Sequence, residues 1–320
     1  MLTQTNNNNW RPTATLLALQ ARAQLYGQIR SFFAQRGVLE VETPLLCARG
    51  VTDPYIQAFS SDNKYLQTSP EYAMKRLLAA GYGSIYQICK VFRYEEAGNY
   101  HNPEFTMLEW YRVGFDDLKL MDETDQLIQL LLDAAPAHKI TYADLFLKFL
   151  DINPHTSNIT LLQNCAQQNG ITLSDAASRS LTVTDWLQLL MSHIIEPQLI
   201  GPAPWIVRDF PIAQAALSKV VNRGSLVASR FEVYMQGVEL ANGYYELQDA
   251  AEQSKRFIAD NAVRSAQGSV QMLPDQRLVS ALEVGLPDCA GIALGVDRLL
   301  MLKLRAKSIA EVLSFGTANA

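Results

Sequence analysis

Cysteine and histidine are both scarce in this chain of 320 residues, four of each at scattered positions. Cys47, Cys89, Cys165 and Cys289 stand far apart and make no Cys-x-x-Cys pair, which argues against a disulfide framework and against a structural zinc site. Any metal is therefore expected to be a hard ion held by carboxylates and phosphate. No apolar run reaches membrane-spanning length, and no basic region followed by a hydrophobic segment opens the chain, so a cytoplasmic protein is expected. A basic excess is missing too. The formal charge of −5 and the pI of about 5.5 argue against a general nucleic-acid surface, although a local basic patch fits within that average.

What the chain does have is ordinary globular composition, 48% apolar and 18% charged, with length for one large domain or two modest ones. Residues 1–13 are polar, include four consecutive asparagines, and are expected to be a disordered lead-in. Helical spacing of Leu16, Leu19, Leu25, Tyr26, Ile29, Phe32 and Phe33 predicts a helix over 16–35 with its C-terminal cap at Gly37. Residues 38–44 suit a short strand stopped by Pro44, and 45–63 a loop with a turn at Asp53-Pro54. Ser69-Pro70 marks a helix start, N-cap then first helical position, for a helix that carries Glu71 and ends at Gly81.

The stretch 85–111, IYQICKVFRYEEAGNYHNPEFTMLEWY, organises the rest: two segments of two-residue periodicity about a polar loop, a long-looped hairpin. Alternation sets Arg93 and Glu95 on one face with Val91 and Cys89, and Phe105, Met107, Glu109 and Tyr111 on one face of the return strand. An arginine fork suits a phosphate, and an aromatic ring can stack on a flat heterocycle. A solvated sheet face with an Arg–Glu pair accounts for the hairpin alone equally well.

Further on, a helix is expected over 116–134 with Leu118, Met121, Leu127, Ile128 and Leu131 inward. Shorter helices over 142–150, 161–169 and 185–195 follow, in which no chemistry is evident. Residues 205–211 suit a strand, and 230–235 with 238–241 an antiparallel pair about a turn at Gln236-Gly237, with Glu239 and Ala241 on one face. Glu232, Glu239 and Glu246 recur at seven-residue intervals in this otherwise apolar region. Such carboxylates require hydrogen bonds or cations: Mg²⁺ on a triphosphate would serve one pair, a substrate ammonium the third. A charge-rich helix over 252–266 is expected to face outward. Small residues 290–295 lead into a helix whose start places Arg298 well for phosphate.

Arg93 with Glu95, then His101-Asn102-Pro103-Glu104-Phe105-Thr106 and Glu109, resembles motif 2 of the class II aminoacyl-tRNA synthetases, in the form of the lysyl enzymes. The helix and strand over 16–44 resemble motif 1, the 290–302 stretch with Arg298 resembles motif 3, and Thr68-Ser69-Pro70-Glu71 resembles the segment whose glutamate meets the substrate amino group. The resemblance runs from about Leu16 onward. It implies an α+β fold, an antiparallel β-sheet flanked by helices in one catalytic domain over 14–320 with a helical insertion at about 113–200, a homodimer, and amino-acid activation with ATP and Mg²⁺.

By position, Arg93 would stabilise charge on the α-phosphate, while Arg298, His101 and Mg²⁺ hold the rest of the triphosphate. Glu95, Asn102 and Phe105 would complete the nucleotide site, and Glu232 and Glu239 would bind the metal. Glu71 would take the amine near the substrate carboxylate, and Glu109 with Glu246 the distal ammonium, helped by Tyr111. Asn242 would read the amino acid, and Tyr244 would line its side-chain pocket.

Two departures stand out. No anticodon-binding barrel precedes the catalytic stretch, so no stable tRNA partner is expected, and Ala241 and Ala293 replace glycines. Ala241 would fill space beside the amino-acid pocket. Both departures match truncated lysyl-type paralogues that pass (R)-β-lysine from its adenylate to the ε-amino group of a lysine on elongation factor P. A minimal synthetase using α-lysine with tRNA or a free amine, and a non-catalytic regulatory paralogue, are the alternatives; the retained charges disfavour the second.

Overall fold

A computed structural model of the chain describes residues 10–94, 98–317 and 319–320. Residues 1–9 of the expected lead-in over 1–13, and Glu95, lie outside the described residues. Thr13, at the end of that lead-in, is held in place: its N–H donates to Ser314 O (2.9 Å) and its hydroxyl to Leu313 O (2.7 Å). Two compact units are present. The first comprises the chain up to Val113, Gln248–Pro287 and Ala293–Ala320; the second comprises Gly114–Leu247 and Asp288–Ile292.

In the first unit the helix Leu16–Ala34 starts at Thr15, whose hydroxyl accepts from Ala18 N, and gives way at Gly37, which takes φ +65°. Its buried stripe is Ala18, Ala21, Leu25, Ile29, Phe32 and Phe33, whereas Leu16, expected inward, is 72% exposed at the first turn. Phe33 stacks on Tyr86 at 4.5 Å and meets Trp110 edge-on, which fixes the helix against the hairpin. The strand after it is only Leu39–Glu40, parallel to Ile85–Phe92, with one further bond from Val41 N to Tyr86 O. Leu46–Cys47 and Ser60–Ser61, inside the expected loop, form a small three-stranded sheet with Lys64–Leu66, which lies beyond it and overlaps a brief strand expected over 65–68. Strands of two residues have no period to detect.

Glu71–Ala79 is helical, and the hairpin pairs Ile85–Phe92 with Glu104–Val113. The helix Val296–Leu304 packs on Glu104–Val113. The helix Ala250–Ala266 is not purely outward-facing: Gln253, Phe257 and Arg264 are buried.

In the second unit the helix Asp117–Leu132 buries Met121, Leu127, Ile128 and Leu131 but leaves Leu118 46% exposed, contrary to expectation, because Leu118 falls on the outer face with Asp122, Gln126 and Leu130 at four-residue spacing. Tyr142, Phe146, Leu162, Trp186, Phe210 and Tyr234 share one core, so the helices Tyr142–Leu150, Ile159–Gln168 and Val183–Leu190 cover one side of the strands. The last of these passes into a π-helical turn, Met191–Ile195. The strands run in the order Val238–Tyr245, Leu226–Met235, Trp205–Phe210 and His138–Thr141; Val220–Asn222 pairs with Leu226–Met235. Antiparallel pairing dominates both units, and the strand Cys289–Gly295 contributes residues to each. All four cysteines are free. Among the described residues no helix is long and apolar enough to cross a membrane.

Candidate active site

In the first unit the candidate residues are set on the hairpin. Pairing at Val91↔Phe105, Cys89↔Met107, Gln87↔Glu109 and Ile85↔Tyr111 sets these residues on one face, since opposed residues of an antiparallel ladder point the same way. Arg93 lies one residue beyond the ladder. Its N–H donates to Pro103 O (2.9 Å), its Nε to Thr68 O (3.4 Å), and its guanidinium stands 5.2 Å from the centre of the Phe105 ring.

Arg298, in the first turn of its helix, meets His101 (Nη2 to Nε2, 2.6 Å) and donates through Nε to Tyr100 O (3.3 Å). Its neighbour Asp297, buried, accepts from Thr106 N (2.6 Å) and from Arg22. Arg93 and Arg298 are thus tied to the two ends of one short stretch, residues 100–106. Asn102, expected as a nucleotide ligand, is engaged in holding that stretch: its amide donates to Glu104 O (2.6 Å) and its oxygen accepts from Thr317 Oγ1 (2.8 Å).

Glu109, 2% exposed, accepts from Ser69 Oγ (2.8 Å) and from Tyr111 OH (2.6 Å). Ser69 also accepts from Glu71 N (3.0 Å) and so joins the helix start to the hairpin, although the cap position falls on Pro70 and not, as expected, on Ser69. Glu71 pairs with Lys75 one turn on, at 2.7 Å, and Lys75 is 1% exposed. An incoming amine would share that carboxylate with Lys75. Sequence reasoning missed Lys75, although its i,i+4 spacing to Glu71 is a standard pairing signal. Burial, reinforced by the Glu109 charge, pushes the Cys89 thiol up to about 12, which leaves it an inert neighbour.

In the second unit Glu232 pairs with Asn242 and Arg230 with Tyr244 across the strands, so these four share a face. The turn at Gln236 (φ 54°) and Gly237 (φ 72°) is a two-residue loop with both residues left-handed, and it brings Glu239 opposite Tyr234, on the face of Glu232. The expected face shared by Glu239 and Ala241 is overturned. Ala241 pairs with Val233, leaving Leu240 as the extra residue of a bulge. Without that bulge Ala241, not Asn242, would stand opposite Glu232. Ala241 is 3% exposed, and Glu246, just past the strand, is 1% exposed with its N–H on Cys289 O (3.0 Å).

Glu232 accepts from Arg230 and from Tyr234 OH. Arg230 also donates to Gln214 O (2.9 Å) and to Asn242 Oδ1 (3.3 Å). Burial pulls the Arg230 pKa down, but Glu232, Tyr244, Tyr234 and Glu239 together outweigh it and the net direction is up. For Glu232 itself burial raises the pKa, Glu239 adds to the rise, and Arg230 and Tyr234 oppose it. A cavity of about 370 Å³ opens on this face, lined by Glu232, Glu239 and Arg230 and, from the helical stretch in which the sequence showed no chemistry, by Gln188, Ser192 and Glu196.

A metal fits here in a limited sense. Each oxygen of Glu232 accepts one hydrogen bond and keeps a lone pair, and Glu239 shares its face. Among the described residues no group of three or more His, Cys, Asp or Glu side chains could hold an ion, so the remaining ligands would come from phosphate and water.

Residues 6–319 match the family model of the tRNA synthetases class II (D, K and N). One curated relative, the elongation factor P--(R)-beta-lysine ligase of Pseudoalteromonas translucida (strain TAC 125), is 46% identical over 323 residues, which cover 98% of this chain and 99% of that protein.

Proposed function

Because this chain belongs to the class II tRNA synthetases (D, K and N), we propose that it is an AMP-forming ligase that activates (R)-β-lysine and transfers it to the ε-amino group of a lysine on elongation factor P. The observation that carries this reading is the similarity to a relative of that activity along almost the whole of both chains.

The β-lysine carboxylate attacks the α-phosphate of ATP in line, and pyrophosphate leaves. The acceptor amine then attacks the adenylate carbonyl, loses a proton, and AMP leaves. Neither step needs a protein nucleophile; positioning and charge do the work. Arg93 is proposed to meet the α-phosphate with Phe105 under the base, and Arg298 with His101 to meet the far phosphates. Glu95 is proposed to belong to the nucleotide site, and Asn102 to support it through the loop that it holds.

Glu109, held by Ser69 and Tyr111, suits the distal ammonium: it is a buried carboxylate whose orientation these donors fix. Glu246 is proposed to share that ammonium, Glu71 to take the second amine, and Asn242 and Tyr244 to contact the substrate. Mg²⁺, held by Glu232 and Glu239, would supply charge neutralisation on the triphosphate. Ala241 is proposed to set substrate choice through the main chain beside Asn242. A homodimer, the absence of a stable tRNA partner and a cytoplasmic setting belong to the same reading.

The test is pyrophosphate exchange with α-lysine, (R)-β-lysine and (S)-β-lysine, followed by mass spectrometry of elongation factor P and of tRNA offered side by side. Exchange is expected to favour (R)-β-lysine and the label to appear on elongation factor P. A clear preference for α-lysine, or label on tRNA alone, would sink the proposal in favour of a minimal synthetase.

A further inference from the structure

The helix Ala250–Ala266 carries a fully buried arginine that the roles above leave unused. Among the described residues its hydrogen-bond partners are all carbonyl or amide oxygens. Arg264 donates to Val270 O (2.7 Å), Asp53 O (2.7 Å), Ile56 O (3.3 Å) and Gln57 Oε1 (2.8 Å). Three of the four lie in one segment, residues 53–57, remote in sequence from the helix. Burial lowers the Arg264 pKa, with Asp53 and Asp260 opposing; a cation in this position costs desolvation that only its full set of acceptors offsets.

Its neighbours complete a clasp. Asp260, one turn earlier, accepts from Thr52 Oγ1 (2.6 Å), and Asn261 exchanges two hydrogen bonds with Met272, each 2.8 Å. A main-chain hydrogen bond then links the clasp to the residue next to Arg93. Among the described residues the hairpin ladder ends at Phe92, and the Tyr94 N–H donates to Gln57 O (2.8 Å). The Phe59 ring meets the Tyr94 ring edge-on at 5.2 Å. Arg93 is the adjacent residue, with its own N–H on Pro103. Gln57 is therefore held by its side chain to Arg264 while its main chain holds the strand end from which Arg93 projects.

We propose that Arg264 is a positioning residue for adenylate formation: by fixing Gln57 it fixes the Tyr94 main chain, and with it the direction of the Arg93 guanidinium. This inference rests on the proposed role of Arg93 at the α-phosphate. A guanidinium is suited to the task because its planar fork reaches several carbonyls at once, which an ammonium cannot do.

Four variants test it through kcat for pyrophosphate exchange, KM for lysine and melting temperature. Gln57→Leu, which leaves the Arg264 contacts with Asp53, Ile56 and Val270 intact, is expected to lower kcat about tenfold to a hundredfold with KM for lysine unchanged. Arg264→Met is expected to do the same, and Arg264→Lys to recover part of the loss. Thr52→Val, which removes the Asp260 link on the same helix but no link to Tyr94, is expected to lower the melting temperature alone. If Arg264→Met fails to fold, Gln57→Leu decides. A fall in melting temperature with normal kcat in Gln57→Leu, or an equal fall of kcat in Thr52→Val, overturns the proposal. Arg93→Ala in the same assay separates the two levels. Its normal exchange would overturn the reading of Arg93 and the clasp with it, whereas its inactivity beside a normal Gln57→Leu would overturn the clasp alone.

Discussion

Glu232 carries the electrostatic problem of the second unit. It is 7% exposed, bonded to Arg230 and Tyr234, with Glu239 on its own face. Its folded pKa lies above the ordinary value of 4.5, chiefly through burial. A group shifted in that direction favours the fold when protonated; its contribution is complete below the unfolded value and is lost as pH rises through the folded one. A cation bound to the ionised carboxylate offsets that loss, and it can do so only where the group is charged. The gain in melting temperature from Mg²⁺ with ATP is therefore expected to be larger at about pH 7.5 than at about pH 5.5, and Glu232→Gln to flatten the difference. Thermal unfolding at the two pH values checks this; an equal or larger gain at the lower pH would count against the metal role.

At the scale of the element, the second hairpin depends on one close approach. A side chain at Gly243 would bring its Cβ within 2.5 Å of the Phe231 ring and 3.1 Å of Ile292 Cβ. Phe231 is the cross-strand partner of Gly243, so the glycine lets a large ring lie flat over the face opposite Asn242. Gly243→Ala is expected to destabilise the protein by roughly 1–3 kcal/mol through overpacking, and Gly243→Ala with Phe231→Leu to recover part of it. Urea denaturation reads both. A neutral single variant would mean that the strand slides to make room, and Asn242 would then lose its register opposite Glu232.

For the whole molecule the open quantity is the number of copies. The part of the first unit that resembles motif 1 exposes apolar side chains: Leu16 is 72% exposed, Leu17 69%, Leu39 52%. Leu39 also lies on a two-residue strand at the end of its ladder, where pairing groups are available. The proposed homodimer would cover such a face by two-fold symmetry. Light scattering is expected to give twice 35.7 kDa for the native chain and a single 35.7 kDa for Leu39→Glu. A native monomer with full ligase activity would remove the dimer from the proposal.

Much of this was present in the order of residues. The hairpin, the turn at Gln236-Gly237 and the helix after Ser69-Pro70 were legible because period and turn chemistry act over a few neighbours. The two-residue strands, the bulge at Leu240 and the cavity contributions of Gln188, Ser192 and Glu196 were not. They depend on which segment lies opposite, and local sequence carries no record of that. Arg230 stood two residues from Glu232 throughout, but only tertiary burial, which strips water from both, turned that neighbour into its counter-ion. Arg264 is the clearest instance: on a charge-rich helix it looked like solvent-facing surface, and only the arrival of Asp53–Gln57 carbonyls from across the chain made it a buried clasp. Sequence determined which groups were available for the chemistry; folding decided which of them face one another, because burial and pairing are properties of the packed chain.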